Sequence, residues 1–362
     1  MNTIEQLYKE WLSVQPLKET LQRRMDQSFM IDFNFNSNHL EGNTLTYGQT
    51  KLLLLFGKIK GDVLMRDCEE MKAHNVGLEL MKIEALDKER PLSESFIRNL
   101  NRTILVNDFY KLSRDREYRY KIHTGVYKTR PNSVITPTGE LFDYASPEET
   151  PALMTDLVKW YNDEEQKGVL TPIVLASLFH YRYIRIHPFE DGNGRIARLL
   201  VNYILYRHGY PMIVIPSVDR KKYLEILGNC DEITGREPFN GANATMEQIK
   251  SFVDFISIYT ERKLKYVIQL ARGEINEISE TDIEQQKDPV LFEDVSVNVS
   301  VNVSVKENIL NIIGQFSIIT VKELANMLSV TERTIYRNLY NLKSANKIER
   351  VGSDKTGYWK IK

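Results

Sequence analysis

Cysteine is nearly absent from this chain. Cys68 and Cys230 are the two in 362 residues, which excludes a disulfide framework and offers no metal-ligand spacing. Long apolar runs are missing too: Leu52 to Phe56 is the greasiest stretch and far too short to span a bilayer. The start, Met1-Asn2-Thr3-Ile4-Glu5, lacks the apolar segment of a secretory signal. The expectation is a cytoplasmic protein with no membrane contact. No excess of one charge sign exists either. With 48 Lys+Arg against 49 Asp+Glu, a net of −1, the chain as a whole is not a general polyanion binder. The six histidines are scattered, and His180 and His187, seven apart, are not placed to share a metal. No long internal repeat stands out. At this length, two or three domains with real cores are possible.

What is present is concentrated in one stretch. His187-Pro188-Phe189-Glu190-Asp191-Gly192-Asn193-Gly194-Arg195-Ile196-Ala197-Arg198 brings together a base, a carboxylate, a glycine-rich turn and two arginines. Upstream, Thr171-Pro172 reads as a helix start, Thr capping and Pro giving up no hydrogen bond at the first helical position. That helix runs to about Ile186, and Pro188 cannot continue it. After the loop, Arg195 to Arg207 reads as a second helix, with Ile196, Leu199, Leu200, Tyr203 and Ile204 on one apolar face. His208-Gly209 is its stop.

Gly192, Asn193 and Gly194 thus precede a helix N-terminus, where turned-in N–H groups and the helix dipole favour an anion. Arg195 and Arg198 sit in the first turn, a position unfavourable to cations unless an anion is expected there. Two fork-shaped guanidinium groups suit a polyphosphate better than a single carboxylate. Asp191 is the metal candidate, because Mg²⁺ in nucleotide sites takes one or two protein oxygens and completes its shell with phosphate and water. His187 is the general-base candidate, with an ordinary pKa that leaves neutral imidazole at pH 7.

The loop matches the signature HPFx(D/E)GNGRxxR at every fixed position. On those residues the chain resembles the Fic (Fido) family over roughly residues 90 to 260. The resemblance implies transfer of AMP from Mg-ATP to a Tyr, Ser or Thr hydroxyl of a target protein or of the chain itself. It implies that Ile122 to Lys128 and Asn132 to Thr136 form the family's flap, a β-hairpin on which an extended target segment adds a strand. Val134, Ile135 and Thr136 are its β-formers, and Thr138-Gly139-Glu140 turns it. It further implies that the region after Asp219 holds adenine and ribose, with Tyr223 to stack on the base and Asn229 to bond to it. A buried core tyrosine is the alternative for Tyr223. That region is a short helical pattern ending near Asn229.

Residues 25 to 41 form a second helical pattern, ending Ser37-Asn38-His39-Leu40-Glu41-Gly42-Asn43. This is similar to the pattern (S/T)xxxE(G/N) of autoinhibited Fic proteins. Ser37 and Glu41, four apart, would share one helix face, and Gly42 would end the helix. By resemblance, Glu41 pairs with Arg198, which would otherwise bind the γ-phosphate. Thr46 to Gln49 opens another helix with a capping box.

The C-terminal part differs in character. Asp294 to Val305 reads DVSVNVSVNVSV, a two-residue alternation that suits a linker or a strand pairing two chains, and so a homodimer. Residues 306 to 362 resemble a winged helix. Lys306 to Ile313 gives one helix, Thr320 caps a second, and Glu332 to Ser344 carries Thr334, Tyr336, Arg337 and Asn338, types that reach base edges. Wing strands follow at Lys347 to Arg350 and Tyr358 to Ile361, joined through Gly352 to Gly357. Ten Lys+Arg against five Asp+Glu make this segment +5, which suits DNA without being strongly basic, and winged helices also contact proteins.

The expected fold class is therefore all-α, a mainly helical Fic/Fido core with a small β-hairpin flap, followed by a small α+β winged-helix domain. Four segments are expected: an N-terminal helical region with the inhibitory element (1–90), the catalytic core (91–262), a charged helical tail with the valine-repeat linker (263–305), and the winged helix (306–362). Strands are expected at the flap, the valine repeat and the wing. Three functional readings stay open: a bacterial, autoinhibited protein adenylyltransferase; a relative that uses another nucleotide or removes AMP; and a DNA-binding regulator whose Fic domain senses nucleotide.

Overall fold

A computed structural model describes residues 3–112, 118–135, 141–275, 309, 310, 313, 320, 321, 324, 325, 332–344, 347–351 and 358–361. Thr136, the turn 138–140, the valine repeat 294–305 and the wing connection 352–357 lie outside the described residues. The chain divides into two compact units, Met1–Lys287 and Asp288–Lys362.

The first unit is helical. Its elements are α1 (Thr3–Ser13), α2 (Glu19–His39), α3 (Tyr47–Phe56), α4 (Met65–Leu86), α5 (Glu94–Leu105), α6 (Thr150–Lys167), α7 (Pro172–Ile186), α8 (Asn193–Arg207), α9 (Arg220–Thr234), α10 (Pro238–Ala242) and α11 (Lys250–Arg272). Between α5 and α6 lie two antiparallel ribbons, β1 (Phe109–Leu112) with β2 (Arg119–Ile122), and β3 (Val134–Ile135) with β4 (Leu141–Phe142). The β3–β4 ribbon falls where the flap is expected. The β1–β2 ribbon was not foreseen.

Helices α7 and α8 are the centre, packed on each other and ringed by α4, α5, α6, α10 and α11. The helix α8 is buried at nearly every position from Asn193 to Arg207, so it reads as a core helix rather than an amphipathic one. The expected starts hold. Thr171 Oγ1 accepts from the Val174 N–H ahead of Pro172, and Thr46 and Gln49 form the reciprocal capping box of α3.

Three boundaries differ from the sequence reading. The helix α9 continues past Asn229 to Thr234, where Gly235 ends it. The helix α11 runs without a break through 262 and 263, so the expected boundary between core and tail falls inside a helix. Helix α2 stops at His39 rather than reaching Glu41.

Arg185 fastens the bundle interior. Its side chain is 1% exposed and donates to the Tyr181 hydroxyl, Asp231 Oδ1, Thr234 Oγ1 and the carbonyls of Gly235, Arg236 and Glu237. It ties the end of α7 to the end of α9. Gly241 leaves room for it: a Cβ there would lie 2.5 Å from the guanidinium carbon.

The second unit holds α12 (Glu332–Ser344) and the antiparallel strands β5 (Ile348–Val351) and β6 (Tyr358–Ile361), in register Ile348 to Ile361. Its core joins Ile309, Ile313, Leu324, Ala325, Ile335, Leu339, Leu342 and Ile348. Tyr336 and Arg337 are exposed, but Asn338 is 8% exposed, on the core side of the helix.

Replacing Arg185 by Met should lower unfolding stability by about 3–5 kcal/mol, because six acceptors lose their donor while Asp231 loses its counter-charge. Urea denaturation of the two proteins measures this, and a loss under about 1 kcal/mol would show that the network is dispensable.

Candidate active site

The HPF loop is a junction between α7 and α8 that the backbone fixes before any side chain acts. His187 caps α7 with φ 51 and ψ 60, a left-handed conformation unusual for a non-glycine residue. Gly192 opens α8 at φ 83, where a Cβ would meet Ile104 at 3.2 Å and Asn101 at 3.3 Å. Asn193 crosses the loop, accepting from the Phe189 N–H at 3.0 Å and donating to the Phe189 carbonyl at 2.6 Å. Asn101 donates to the Asp191 carbonyl at 2.9 Å. Asn132 donates to the carbonyls of His187 and Phe189 at 3.1 and 2.9 Å.

The His187 ring is half-buried and stacks on Tyr144, with centroids 4.0 Å apart and planes 14° from parallel. Burial first, then the Lys128 ammonium, push its pKa down to about 3, against the opposing pull of the Ile184 carbonyl, Glu41 and Asp191. The imidazole is therefore neutral at pH 7, as a base must be. The Ile184 carbonyl faces the ring, yet Nδ1 makes no hydrogen bond of ordinary geometry. Lys128 donates to the last carbonyl of α7, Ile186, at 3.0 Å and to Asn132 Oδ1 at 2.9 Å. Burial brings that ammonium down to about 7.

The second arginine is engaged. Arg198 is 3% exposed and donates from Nη2 to Glu41 Oε1 at 2.8 Å and to the Ser37 carbonyl at 2.8 Å, and from Nε to Ser37 Oγ at 3.1 Å. Ser37 Oγ in turn lies 3.2 Å from Nε2 of the buried His74, whose Nδ1 is 2.7 Å from Asn34 Oδ1. Burial tends to raise the Glu41 pKa, but Arg198, with Arg195 behind it, outweighs this and leaves the carboxyl below its ordinary value. The Glu41 carboxylate lies against Gly194, in the space a side chain there would fill. It occupies the anion position at the start of α8. Ser37 and Glu41 converge on Arg198 even though they do not share a helix face: the chain turns after His39, with Glu41 N–H donating to Asn38 O at 3.0 Å and Gly42 at φ 93.

Arg195 is 4% exposed, and its Nη2 is 3.5 Å from Asp191 Oδ1 while Nε and Nη1 have no partner. A buried fork with two unused donors aimed at a loop is what an incoming anion would satisfy. Lys111 of β1 holds the other Asp191 oxygen. Burial would raise the Asp191 pKa, but Lys111, then Arg195 and the Gly192 N–H, carry it below the ordinary carboxylate value.

The model of the Fic/DOC family matches residues 91–205. The crystal structure of a Fic-domain-containing signaling protein from Bacteroides thetaiotaomicron is 60% identical, with TM-score 0.72, over 76% of this chain and 99% of that one. This chain belongs to the Fic/DOC family. Among curated Fic proteins, protein adenylyltransferase fic-1 of Caenorhabditis elegans is 32% identical over 205 residues, 56% of this chain and 37% of the relative. Protein adenylyltransferase Fic of Drosophila melanogaster is 30% identical over 247 residues, 67% of this chain and 43% of the relative. The chain thus spans about two fifths of these curated relatives. A Fic-1 crystal structure from C. elegans aligns at TM-score 0.57 and 26% identity, over 74% of this chain and 71% of that one.

The Fic core brings together His187, Asp191, Gly192, Asn193, Gly194, Arg195 and Arg198 with Ser37 and Glu41. It does not bring Tyr223 into line with them as a stacking surface. Tyr223 is 4% exposed, its hydroxyl 2.8 Å from His180 Nε2 and its ring among Phe252 and Phe255. Tyr223 is a core residue, because α9 turns that face onto α7 and α11. Asn229 is exposed on α9. Val134 and Ile135 form β3, paired with Phe142 and Leu141. Sequence reasoning passed over Lys111, Asn101, Lys128 and Tyr144. The β1–β2 ribbon did leave a signal, the aromatic-basic alternations Phe109-Tyr110-Lys111-Leu112 and Arg119-Tyr120-Lys121-Ile122, but the two long-range asparagine and lysine contacts left none.

His74 and His180 are buried and His187 is half-buried, all with lowered pKa values, the last two at about 3, so the folded chain stays unprotonated where the unfolded chain binds a proton near pH 6.5. Stability should therefore fall as pH drops below about 6.5, at up to about 1.4 kcal/mol per pH unit for each histidine. Thermal midpoints measured from pH 7.5 to 5 test this. A His180→Gln variant should show a shallower slope, and an unchanged slope would remove His180 from the account.

Proposed function

We propose that this Fic protein is an autoinhibited protein adenylyltransferase, and that the Glu41–Arg198 pair is its brake. The observation that carries this reading is the Arg198 guanidinium engaged by an internal carboxylate and by Ser37, with Glu41 lying over Gly194. A carboxylate there takes the place of a terminal phosphate oxygen pair. With Arg198 occupied, the triphosphate lacks its outer grip and its α-phosphorus is not presented to the acceptor.

Once Glu41 withdraws, the loop's parts have separate tasks. Arg198 and Arg195 grip phosphate oxygens, and the N–H groups at the start of α8 neutralise charge. His187 takes the proton of a target Tyr, Ser or Thr hydroxyl as that oxygen bonds to the α-phosphorus. The bond from the α-phosphorus to the bridging oxygen breaks, AMP stays on the protein, and pyrophosphate leaves. Catalysis is then mostly positioning and charge neutralisation. Asp191 fits Mg²⁺ as a single hard oxygen ligand whose partners are phosphates. No group of three or more His, Cys, Asp or Glu side chains gathers among the described residues, which suits an ion arriving with its nucleotide. The ion would neutralise phosphate charge. A target segment would pair with the β3–β4 ribbon, presenting its hydroxyl towards His187.

The same glutamate supports a second reading, hydrolytic removal of AMP, because a partly exposed carboxylate facing the loop can orient a water. For the second unit, the exposed row Tyr336, Arg337, Tyr340 and Lys343 on α12 supports contact with DNA or a protein. No helix of the described residues is long and apolar enough to cross a membrane.

Glu41→Gly should raise transfer of label from α-labelled ATP to protein by about tenfold or more, the gain expected when an internal competitor is removed. An unchanged rate in a folded variant would sink the brake. In the Glu41→Gly background, His187→Ala should cut transfer by about 10²–10⁴ while ATP still binds. Near-parental transfer would remove His187 as the base, whereas loss of label with gain of AMP release from a modified substrate would favour hydrolysis.

A further inference from the structure

The Asp191 carboxylate is saturated by cations of the protein itself. Arg195 Nη2 lies 3.5 Å from Oδ1, and the Lys111 ammonium bonds Oδ2. The two cations are held very differently. The Arg195 side chain is 5% exposed and sits one helical turn from Asp191 on α8. Lys111 comes from outside the helical bundle, on β1, and its side chain is 42% exposed.

The β1–β2 ribbon is built to deliver that ammonium. Alternation along β1 turns Phe109 and Lys111 inward and leaves Tyr110 and Leu112 at 67% and 52% exposure. Asp108 at its root accepts from the Thr124 N–H at 2.9 Å and from Lys121 Nζ at 3.1 Å. On the other side, Asn101 fixes the Asp191 main chain at 2.9 Å. The carboxylate is therefore the stationary partner. The lysine, a point charge on a flexible four-carbon stem, is the exchangeable one.

We propose that Lys111 is an internal counter-ion that occupies the Asp191 carboxylate in place of a divalent cation and has to leave for the metal to bind. The proposal rests on reading Asp191 as the metal carboxylate. A monovalent ammonium satisfies Oδ2 in the resting protein, while Arg195 faces Oδ1. A dication delivered with a polyphosphate attracts the same oxygen more strongly and displaces it. A partly exposed lysine pair exchanges readily, which a buried arginine pair would not. The displaced ammonium stays on the ribbon beside the phosphates, where its charge is again compensated. Together with Glu41 on Arg198, both charged elements of the loop, the anion position and the cation position, are filled by the chain's own groups at rest.

The test is Mn²⁺ binding to the full chain carrying Glu41→Gly, with a non-hydrolysable ATP analogue, read from the free-Mn²⁺ resonance signal. Lys111→Met should tighten the apparent Mn²⁺ affinity by about fivefold, the change expected from removing one partly exposed competing pair. Lys111→Arg, which keeps the charge, should not tighten it. Asp191→Asn should weaken binding, and adding Lys111→Met to it should then change nothing, since Lys111 acts through that carboxylate. Equal or weaker Mn²⁺ binding by Lys111→Met, or tightening that persists without Asp191, would overturn the proposal. Because the readout is metal occupancy, a protein that transfers no AMP yet shows this pattern would sink the adenylyltransferase reading and leave the counter-ion standing.

Discussion

Arg198 must have an anion. It is fixed near the N-terminal end of a helix buried along almost its whole length, and it is 3% exposed. An unpaired guanidinium there would cost several kcal/mol. The N-terminal segment supplies the anion. The course of α2, the turn after His39 and the contact of Ser37 with His74 all serve to bring one carboxylate and two oxygens of Ser37 onto that group. Any ligand that displaces Glu41 has to offer Arg198 an equally good anion.

The same constraint explains why residues 1–90 are not an appendage. Trp11, Phe29, Phe33, Leu40, Leu78 and Met81 belong to the one hydrophobic cluster that also holds α7 and α8. The small group Leu45, Leu53, Cys68 and Met71 secures the corner after Gly42. Withdrawal of Glu41 therefore does not require α2 to leave the core. Movement of the turn 40–42 alone would remove the carboxylate and leave Ser37 on Arg198.

The loop was legible because its chemistry is local. Gly192 is needed for a positive φ, Pro188 stops α7, and the two arginines follow at helical spacing, all within twelve residues. The helix starts at Thr46 and Thr171 were legible for the same reason: capping depends on residues two or three apart. Where the reading ran past the structure, the deciding force was not local. Glu41 was placed on the helix face of Ser37, but α2 ends earlier because the chain must turn to enter the corner packed around Leu45. Tyr223 was considered for a base-stacking role, but α9 rotates it against His180 and Phe252.

The sequence by itself determined a mainly helical chain in which a histidine, a carboxylate, a glycine-rich turn and two arginines fall at the junction of two helices; the family and the upstream glutamate came from resemblance. Spacing along one strand of chain is sufficient for those, since each depends on caps, turns and periodicity. Tertiary structure decided which groups meet across the chain. The pairs Glu41 with Arg198, Lys111 with Asp191, Tyr144 with His187 and Lys128 with the end of α7 join residues 43 to 157 positions apart, distances over which only the packing of the bundle sets the neighbours. Their charges and rings were visible in the sequence, and their partners were not, because a charge does not record in its own neighbourhood which opposite charge the fold will bring to it.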